Sequence, residues 1–573
     1  MTRWAFTVYL VVIMLVTVLF ANVSGCSYTQ QSQSKPRINS STISNLSRTN
    51  KVVLLIIDSL MDKPLQEAIN QGRAPALAYM IKKGYYVPQA VSAFPTMSVT
   101  VDSTLFTGKN PNSHHIPGLI WYSQRENRVI NYGTGLGESV KQGLKQVLED
   151  GIFHLNNTHL NKQVQTIHEQ LHASGKTSAS INALVYRGNK AHKLYLPKAV
   201  AGTTGIADSW TTLAPKWLSL ASLSQMNPAN GRNAKPWQSY GLNDRFSTEE
   251  WLHLRKQGHN PDLAVVYFPD NDHRVHKDGP QALEGIEKAD RQLQSMLSAF
   301  RSWDEAMQQH IWIVLGDSGQ THIDKDRKKA LIDVRDVVKP YHIVSPGKLI
   351  HTDSQIVAAV NERMAYIYAV NKQQQLPLAQ LARHMQREGR IDVIAWKEGE
   401  HVHVVAGESG LKSTEKAGLS AATSVSKRLI FRPNGPYKDS YGQRWSLEGN
   451  TGLLDIRVDG REANHEKGQR GHGQNNDVQH MRQIHYGNYP DALARLYSAL
   501  HSHDGSFLVV TAKPGYEFVG EGSPTHVNGG GHGSLHKQDS HVPIIVVGTD
   551  TKPLHWRLVD LKEWIVRLCS RVS

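Results

Sequence analysis

The sequence predicts an α/β fold, with a mostly parallel central sheet that is flanked by helices and interrupted by two insertions. The strongest evidence is a run of apolar residues, Val52–Ile57, that ends abruptly at Asp58. A continuous run of this kind is typical of a strand buried on both faces, as in a parallel sheet between helices. Two later runs, Leu263–Phe268 and Ile311–Leu315, repeat the pattern.

Carboxylates follow each of these runs. Asp58 follows the first, Asp270 and Asp272 follow the second, and Asp317 follows the third after Gly316. An isolated Asp at a strand end is most often a turn or helix-capping residue. Three such strands in one sheet would instead place their carboxylates at a single edge, where open α/β sheets form their sites. The pattern therefore predicts a cluster of carboxylates at that edge.

The chain is long enough, at 573 residues, for one elaborated domain or for two to three ordinary ones. The regular alternation of strand-like and helix-like segments is lost at about 123–260 and again at about 396–485. It returns near the end of the chain in two strand-like runs, Phe507–Ala512 and Val542–Val547. We therefore predict one catalytic domain over residues 50–573, with insertions at those two places.

The amino-terminal segment is not predicted to belong to this domain. Trp4–Ala21 is an uninterrupted apolar run, and Val23–Cys26 resembles the cleavage site at which bacterial lipoproteins are lipidated on cysteine. The run is also long enough to remain as an uncleaved membrane anchor. We predict a lipoprotein signal peptide over 1–25, a palmitate-bearing Cys26 and a polar tether over 26–49. The protein would then be lipid-anchored on the extracytoplasmic face of the cell membrane.

Composition excludes some classes of function. The formal net charge of +14 would suit an anionic envelope or acidic small substrates as well as nucleic acid. No dense Lys/Arg run and no interleaving of arginine with aromatic residues marks a nucleic-acid surface, so no stable nucleic-acid complex is expected. The chain has two cysteines, and lipidation of Cys26 would leave Cys569 without a partner, so no disulfide framework is expected.

Histidines and carboxylates at short spacing are candidate metal ligands. Asp272 and His276 lie four positions apart, and a carboxylate and an imidazole on one loop can hold one ion. His532 lies within Gly529–Gly533, whose glycines permit a close backbone approach. A histidine in a glycine-rich loop is ordinarily just exposed, so His532 alone carries little weight. Three further histidines lie close by in the sequence: His526, His536 and His541.

A hydroxyl-rich segment contributes the remaining motifs. It contains Pro95-Thr96-Met97-Ser98, then Thr107-Gly108, then Pro111-Asn112-Ser113-His114. Farther along the chain, Asp272 and His276 are followed by Gly279-Pro280. With these motifs in this order, the chain resembles the alkaline phosphatase superfamily, and most closely its type I phosphodiesterase/nucleotide pyrophosphatase branch. The resemblance covers nearly all of Val52 to Val547, and the insertions match least.

The resemblance implies a nucleophile and two metal sites. Matching the spacing of the branch puts the nucleophile at Ser98, with Thr96 as the alternative. A purely structural interpretation of Ser98 is that it caps a helix. In the same register Asp270 is not a ligand. One ion would be held by Asp272, His276 and His532. The other ion would be held by Asp58, Asp317 and the Ser98 hydroxyl.

The resemblance also implies the chemistry and the cofactors. It implies two divalent metal ions, expected to be zinc, and phosphoryl transfer through a covalent phosphoseryl intermediate. The expected reaction is hydrolysis of phosphodiester or nucleotide pyrophosphate bonds, and the expected substrate is a small phosphorylated or nucleotide-like compound.

Two departures from the family pattern bear on the site. Ser318 follows Asp317 where the family has histidine, so the second site would bind zinc poorly, would take Mn²⁺, Mg²⁺ or Ca²⁺ instead, or would recruit His322. Val101 occupies the position of the asparagine that binds the phosphoryl group, and the next residue, Asp102, would repel an anion. The phosphate pocket is therefore expected to differ from that of the family.

Other functions remain open on the same fold. A phosphomonoesterase and an envelope enzyme acting on phosphoglycerol-type groups are the enzymatic alternatives. A degenerate, non-catalytic metal-binding lipoprotein is the alternative from another class, because Ser318 and Val101 both erode the site. A sulfatase is disfavoured, since no Cys-x-Pro-x-Arg segment is present to supply its nucleophile.

Overall fold

The computed structural model describes residues 50–134, 136–196, 208–235, 238, 241–371, 376–408, 427–459 and 482–570. The signal peptide over 1–25, the lipidation site Cys26 and the tether over 26–49 lie outside these residues, so they stay predictions. Within the described residues, no helix is both long enough and apolar enough to cross a membrane.

The described residues form strands and helices throughout the predicted catalytic domain. The strands, in chain order, are β1 (Val52–Ile57), β2 (Tyr85–Val91), β3 (Ile120–Ser123), β4 (Arg128–Asn131), β5 (Ser178–Ile181), β6 (Lys190–Tyr195), β7 (Ser209–Ala214), β8 (Trp217–Ser219), β9 (Leu263–Phe268), β10 (Ile311–Leu315), β11 (Thr321–His322), β12 (Leu331–Asp333), β13 (Ile356–Asn361), β14 (Met364–Ala369), β15 (Ile391–Glu398), β16 (His401–Val405), β17 (Leu429–Asp439), β18 (Arg444–Gly449), β19 (Ile456–Val458), β20 (Arg482–Tyr486), β21 (Phe507–Ala512), β22 (Glu517–Val519), β23 (Gly530–Gly531) and β24 (His541–Val547). The α-helices are Asp62–Asn70, Pro75–Lys83, Ser98–Thr107, Pro111–His114, Leu136–Gln142, Leu144–Glu149, Ile167–Ala173, Asp244–Lys256, Asp270–Asp278, Glu284–Leu297, Trp303–Gln309, Arg327–Ala330, Val334–Val337, Leu378–Met385, Ala492–Leu500, Lys537–Ser540 and Leu561–Ser570. A π-helix spans Asp150–His159, and short 3-10 helices span Ala221–Leu223, Pro228–Asn233, Thr451–Leu454 and Leu558–Asp560.

The central sheet has the strand order β2-β24-β10-β1-β9-β5-β8. Strands β10, β1, β9, β5 and β8 pair in parallel, whereas β24 runs antiparallel to both of its neighbours, β10 and β2. The three apolar runs that predicted the sheet are β1, β9 and β10, and they lie side by side at its centre. A mostly parallel sheet flanked by helices confirms the predicted fold class.

Strand β1 is buried on both faces, as its continuous apolar run predicts. Leu54 and Ile56 pack into the core on one side, and Val53 and Leu55 pack into a separate core on the other. Helices cover both sides of the sheet. The side of Leu54 packs against helices Ser98–Thr107 and Leu561–Ser570. The side of Val53 packs against helices Asp62–Asn70, Pro75–Lys83 and Glu284–Leu297.

Among the described residues there is a second sheet, of nine strands, which was not predicted from the sequence. Its order is β13-β14-β21-β15-β16-β17-β20-β19, with β18 paired to β17, and all of its pairs are antiparallel except β17 with β20. The run Phe507–Ala512 is a strand as predicted, but it belongs to this sheet. The segment 396–485, predicted as an insertion, also contributes strands to the sheet, which already begins at Ile356.

The segment predicted as the first insertion, at about 123–260, is partly integral to the central sheet. It supplies β5 and β8, which extend the parallel half of the sheet beyond β9. These strands are only four and three residues long, and they include Ser178, Ser180 and Ser219. A strand-like run at Ala179–Tyr186 predicts β5 in part, whereas β8 is too short to show a periodic pattern and is not predicted from the sequence.

Candidate active site

The topology of the central sheet brings distant parts of the chain to one edge. The carboxyl ends of β1, β9 and β10 lie together because these strands are parallel neighbours. Strand β2 ends at the same edge and leads towards the helix Ser98–Thr107. Strand β24 runs the opposite way, so the chain enters it from this edge, soon after His532. The predicted site residues therefore all belong to segments that meet here.

Asp272, His276 and His532 converge at this edge. The predicted loop is in fact a helix, Asp270–Asp278, and a separation of four residues places Asp272 and His276 on one face of it. His276 Nε2 lies 3.2 Å from Asp272 Oδ1, and His532 Nε2 lies 3.8 Å from the same oxygen. The ligand atoms of the three residues lie within 4.8 Å of one another, which is close enough to hold one ion.

Asp270 has a structural role instead. Its backbone N–H donates to Asp244 Oδ1 at 3.0 Å, and the Asp244 N–H donates to Asp270 Oδ2 at 3.3 Å. This exchange joins the first residues of helices Asp244–Lys256 and Asp270–Asp278, where carboxylates satisfy free N–H groups. The two carboxylates that follow β9 therefore have different roles: Asp270 joins two helices, whereas Asp272 lies among the candidate ligands.

Asp58 and Asp317 form a second group of carboxylates. The Tyr267 hydroxyl donates to Asp58 Oδ2 at 2.6 Å and lies 3.3 Å from Asp317 Oδ2. Burial, followed by the charges of Asp317 and Asp272, raises the pKa of Asp58 well above its ordinary value. Asp58 Oδ1 is buried and has no hydrogen-bond partner. An orphaned carboxylate oxygen beside a second carboxylate fits a cation, which would satisfy the oxygen and offset both charges.

Hydroxyl groups connect the two groups of ligands. Ser59 Oγ donates to Asp272 Oδ1 at 2.8 Å, and the Ser59 backbone N–H donates to Asp317 Oδ1 at 2.9 Å. The Ser318 hydroxyl, at the position of the family's histidine, is buried and lies 3.2 Å from Ser59 Oγ. The second group is therefore an oxygen set, which suits a hard cation such as Mg²⁺ or Mn²⁺ better than zinc.

The other departures from the family pattern, Val101 and Asp102, lie in the interior of the protein. Val101 and Asp102 are both completely buried in the helix Ser98–Thr107, and Asp102 Oδ2 accepts from the Leu184 N–H at 3.2 Å. Burial, followed by the charge of Asp317, raises the pKa of Asp102 well above its ordinary value. The raised pKa favours the neutral form of Asp102, which weakens the repulsion of an anion expected from this residue. His322, the substitute considered for Ser318, is exposed on β11.

The two candidate nucleophiles at the start of the helix Ser98–Thr107 have different environments. Thr96 is completely buried, with its carbonyl oxygen 2.5 Å from His532 Nδ1 and its Oγ1 accepting from the Gly533 N–H at 2.7 Å. Ser98 is the one residue from Val91 to Thr107 that is not buried. Met97, rather than Ser98, is the N-cap of the helix, and no side chain caps it. Ser98 is therefore not a helix cap.

The two motifs that follow Ser98 hold this helix in place. Gly108 ends the helix at a φ of 63°, a left-handed conformation that favours glycine, and its N–H donates to the Thr104 carbonyl. His114 is completely buried, with Nε2 3.0 Å from Thr104 Oγ1 and Nδ1 accepting from the Ile116 N–H at 3.1 Å. Burial lowers the pKa of His114 to about 3, so the ring is neutral. These residues fix the helix that carries Ser98.

Glu362 and His526 lie at the site and were not predicted as ligands. Glu362 occupies the tip of the β13–β14 hairpin, and the His526 ring stacks on the His276 ring with centroids 4.2 Å apart. Of the other spare histidines, His536 caps the helix Lys537–Ser540 and His541 begins β24. A glutamate at a hairpin tip is ordinarily a solvated turn residue, so its position in the sequence carries no signal.

Opposite charges hold the first group together. Although burial alone would lower it, Asp272 and then Glu362 raise the pKa of His276 to about 10. Burial would raise the pKa of Asp272 and of Glu362, but the neighbouring histidines lower both. Imidazole nitrogens and carboxylate oxygens at these separations are the ligand set that zinc prefers. A divalent cation would displace the proton that His276 otherwise carries.

The family model for type I phosphodiesterases and nucleotide pyrophosphatases matches residues 52–421, well over half of the chain. The chain belongs to this family. The predicted family is therefore confirmed, and the protein is a hydrolase of the phosphodiesterase/nucleotide pyrophosphatase type. The matched range contains Asp58, Ser98, Asp272 and Asp317, while His532 lies beyond it. No curated protein matches the chain by sequence.

Solved structures share the fold of this phosphodiesterase-family chain. Murine ectonucleotide pyrophosphatase/phosphodiesterase 5 is similar with a TM-score of 0.50 at 12% identity, over 91% of this chain and 96% of that one. Phosphonoacetate hydrolase from Sinorhizobium meliloti 1021, in complex with phosphonoformate, is similar with a TM-score of 0.51 at 13% identity, over 92% of this chain and 97% of that one. At such low identity, the similarity establishes a common fold only.

Proposed function

We propose that this hydrolase cleaves phosphodiester or nucleotide pyrophosphate bonds with Ser98 as its nucleophile. The observation that carries the proposal is the partial exposure of Ser98 within an otherwise buried segment, Val91–Thr107, at the sheet edge where the ligand groups meet. Thr96 is a poor alternative, because its hydroxyl is buried and already accepts a hydrogen bond from Gly533.

The chain's own residues account for each bond change. Ser98 Oγ would lose its proton to solvent and attack phosphorus, and the bond to the leaving oxygen would break with its electron pair remaining on that oxygen, which then takes up a proton from solvent. The helix Ser98–Thr107 presents its amino end to the phosphoryl group, where free N–H groups and the positive end of the helix dipole favour an anion. Water would then attack the phosphorus of this seryl phosphodiester and break the bond between Oγ and phosphorus. Oγ takes up a proton to restore the Ser98 hydroxyl, and the remaining phosphomonoester is released.

Two groups of side chains fit divalent cations at this site. The first cation, proposed to be zinc, would be held by Asp272, His276 and His532. The second, proposed to be zinc or a harder ion such as Mn²⁺, Mg²⁺ or Ca²⁺, would be held by Asp58 and Asp317 with nearby hydroxyls. When bound, such cations supply Lewis-acid stabilisation of the phosphoryl oxygens and favour ionisation of the nucleophile.

The proposed substrate is a small phosphorylated or nucleotide-like compound. A net charge of +14 favours anionic substrates. Phosphonoacetate hydrolase, which shares the fold, was solved with phosphonoformate, itself a small phosphorus-containing acid. No stable complex with nucleic acid is proposed.

The purified protein is expected to hydrolyse bis(p-nitrophenyl) phosphate and to lose this activity in EDTA. Added Zn²⁺ or Mn²⁺ should restore the activity, and the more effective ion identifies the cofactor. Asp272→Asn should abolish turnover, whereas Asp270→Asn, which changes a carboxylate outside the ligand group, should retain most of it.

The same assay separates this proposal from its alternatives. Faster release of nitrophenol from p-nitrophenyl phosphate than from the diester would favour a phosphomonoesterase. A preference for glycerophosphodiesters would favour the envelope phosphoglycerol-type activity. A folded, cation-loaded protein that turns over none of these esters would contradict the proposal and favour the non-catalytic lipoprotein.

We also propose that Cys26 anchors the protein to the extracytoplasmic face of the cell membrane. The support is the apolar run Trp4–Ala21 followed by Val23–Cys26 and a polar segment over 26–49. Cys26→Ser is expected to release the protein or to leave an unprocessed precursor, as judged by membrane fractionation and by the mass of the chain. Normal processing and retention of Cys26→Ser would contradict lipid anchoring.

A further inference from the structure

Glu362 and Asp272 both lie close to the same two imidazole rings, those of His276 and His532. The β13–β14 hairpin carries Glu362 to the site at a backbone φ of 56°. Glu362 Oε1 lies 3.7 Å from His276 Nε2 and 3.8 Å from His532 Nε2. Asp272 Oδ1 lies 3.2 Å and 3.8 Å from the same two nitrogens. Each imidazole nitrogen therefore faces a carboxylate from each of two separate elements.

These separations resemble the edges of a coordination shell. Bonds of about 2.0–2.1 Å in a tetrahedral zinc site place neighbouring ligand atoms about 3.3–3.4 Å apart. A direct hydrogen bond would instead bring nitrogen and oxygen to roughly 2.7–3.2 Å. The three longer distances, 3.7 Å for His276 to Glu362 and 3.8 Å for both His532 contacts, exceed that range. Only the 3.2 Å contact between Asp272 and His276 is short enough for a direct hydrogen bond, so the four side chains converge without pairing fully among themselves.

All three histidines of the cluster use Nδ1 to bind an acceptor on the protein. His276 Nδ1 lies 2.8 Å from the Gly530 carbonyl, and His532 Nδ1 lies 2.5 Å from the Thr96 carbonyl. His526 Nδ1 lies 2.9 Å from a carboxylate oxygen of Glu517. A proton held on Nδ1 leaves Nε2 with its lone pair, which is the tautomer of a metal-binding histidine.

The surroundings of Glu362 fix the direction of its carboxylate. Its Oε2 accepts from the His532 backbone N–H at 3.0 Å and lies 4.0 Å from His526 Nδ1, which leaves Oε1 for the imidazoles. His526 is itself held by Glu517, a completely buried residue that accepts from both the backbone N–H and the ring of His526. The ligand atoms of His276, Glu362 and His526 lie within 4.8 Å of one another.

We propose that Glu362 is a fourth protein ligand of the cation bound by Asp272, His276 and His532, and that His526, whose ring stacks on the His276 ring, supports this ligand set. The site then combines two carboxylates with two neutral imidazoles, so the protein ligands match the charge of a divalent cation. Such a centre would bind its cation without help from the second group, where Ser318 provides only a hydroxyl. The inference rests on the cation centre of the proposed function, but it is tested without substrate.

Zinc binding to the chelator-stripped full chain tests this ligand set. The dissociation constant for Zn²⁺ is measured by competition with a chromogenic chelator, and Co²⁺ replaces zinc for visible spectroscopy, which reports the number and type of ligands. Glu362→Gln is expected to weaken Zn²⁺ binding by more than about a hundredfold, since loss of a supporting residue alone typically costs ten- to hundredfold. It should also change the Co²⁺ spectrum.

The supporting residues and a control complete the design. His526→Ala and Glu517→Gln are expected to weaken Zn²⁺ binding by about ten- to hundredfold while leaving the Co²⁺ spectrum of parental type, because the ligands themselves remain. Glu169→Gln removes a half-buried carboxylate paired with Arg187 at 3.0 Å, away from the site, and should leave Zn²⁺ binding unchanged.

Several outcomes would overturn the proposal. Parental Zn²⁺ affinity and an unchanged Co²⁺ spectrum in Glu362→Gln would show that Glu362 is not a ligand. If Asp272→Asn loses Zn²⁺ binding in the same experiment, the cation centre exists but has only Asp272, His276 and His532 as protein ligands. Parental affinity in both variants would remove the cation centre altogether. Glu362→Asp, which keeps the charge but withdraws it by one methylene, provides the same comparison if Glu362→Gln does not fold, as judged by circular dichroism.

Discussion

Replacing Ser98 with alanine is expected to lower the turnover of bis(p-nitrophenyl) phosphate by on the order of 10⁴ or more. A nucleophile makes and breaks the bond to phosphorus, so no neighbouring group can replace it while the serine is absent. Ser98 is partly exposed and is not the cap of its helix, so the substitution should change the free energy of unfolding by less than about 0.5 kcal/mol. Turnover and urea unfolding, measured on the same preparation, separate these two effects.

Thr96 is the matched control for Ser98. Thr96→Ser keeps the hydroxyl that accepts from the Gly533 N–H and should retain turnover within about tenfold of the parent. Thr96→Val leaves that buried N–H without its partner, and should destabilise the fold by about 1–3 kcal/mol. Near-parental turnover in Ser98→Ala, together with loss of turnover in Thr96→Val, would place the nucleophile two residues earlier.

A covalent adduct provides an independent check on the nucleophile. Acid quenching during turnover of bis(p-nitrophenyl) phosphate should leave a p-nitrophenyl phosphoryl group on the peptide that contains Ser98, because only one of the two ester bonds has broken at that stage, and mass spectrometry detects this adduct. The adduct should be absent from Ser98→Ala and present in Thr96→Ser. An adduct on Thr96 in the parent protein would contradict the assignment.

Replacing Arg363 with methionine is expected to cost about 3–5 kcal/mol of unfolding free energy. Arg363 is completely buried, pairs with the equally buried Asp539, and donates to Thr321 Oγ1 at 2.7 Å and to the Ala512 carbonyl at 3.0 Å. Methionine leaves the Asp539 charge buried without its cation. Because Arg363 follows Glu362 and its N–H donates to the His532 carbonyl at 2.9 Å, the loss should also loosen the site.

Urea unfolding in EDTA measures this effect without the contribution of a bound cation. The double variant Arg363→Met with Asp539→Asn removes both charges and should recover part of the lost stability, since the buried charge is then absent. Arg335→Met, which breaks the exposed pair with Asp333 at 2.6 Å, should cost less than about 1 kcal/mol. Equal costs for Arg363→Met and Arg335→Met would contradict the role of the buried pair.

The sequence predicts the part of the site that lies on the central sheet. Continuous apolar runs can be recognised as buried strands, and the parallel pairing of β1, β9 and β10 makes their ends, and hence Asp58, Asp272 and Asp317, neighbours. The spacing of four residues between Asp272 and His276 survives as one face of a helix even though a loop was predicted. Local patterns of this kind can be predicted from the sequence because each depends on only a few neighbouring residues.

The second sheet accounts for most of what the sequence does not predict. Its strands pair mainly antiparallel over 356–512, and the hairpin that joins β13 to β14 brings Glu362 to histidines more than 80 residues away in either direction. No hydrophobic periodicity and no sequence motif predicts that Glu362 approaches these histidines, because their approach depends on how one sheet packs against another. The same holds for Tyr267, a strand residue whose hydroxyl reaches Asp58 only once β9 and β1 are paired.

The sequence by itself determined the parallel core, the family and the order in which nucleophile and ligands occur along the chain. Those features can be recognised in short stretches of sequence, because hydrophobic periodicity and motif spacing reflect local geometry. The tertiary structure alone decided that Ser98 reaches solvent while Thr96 does not, that Asp270 joins two helices while Asp272 joins the ligands, and that Glu362 and His526 lie beside them. Each of these outcomes depends on burial and on contacts between segments far apart in the chain, which no local pattern records.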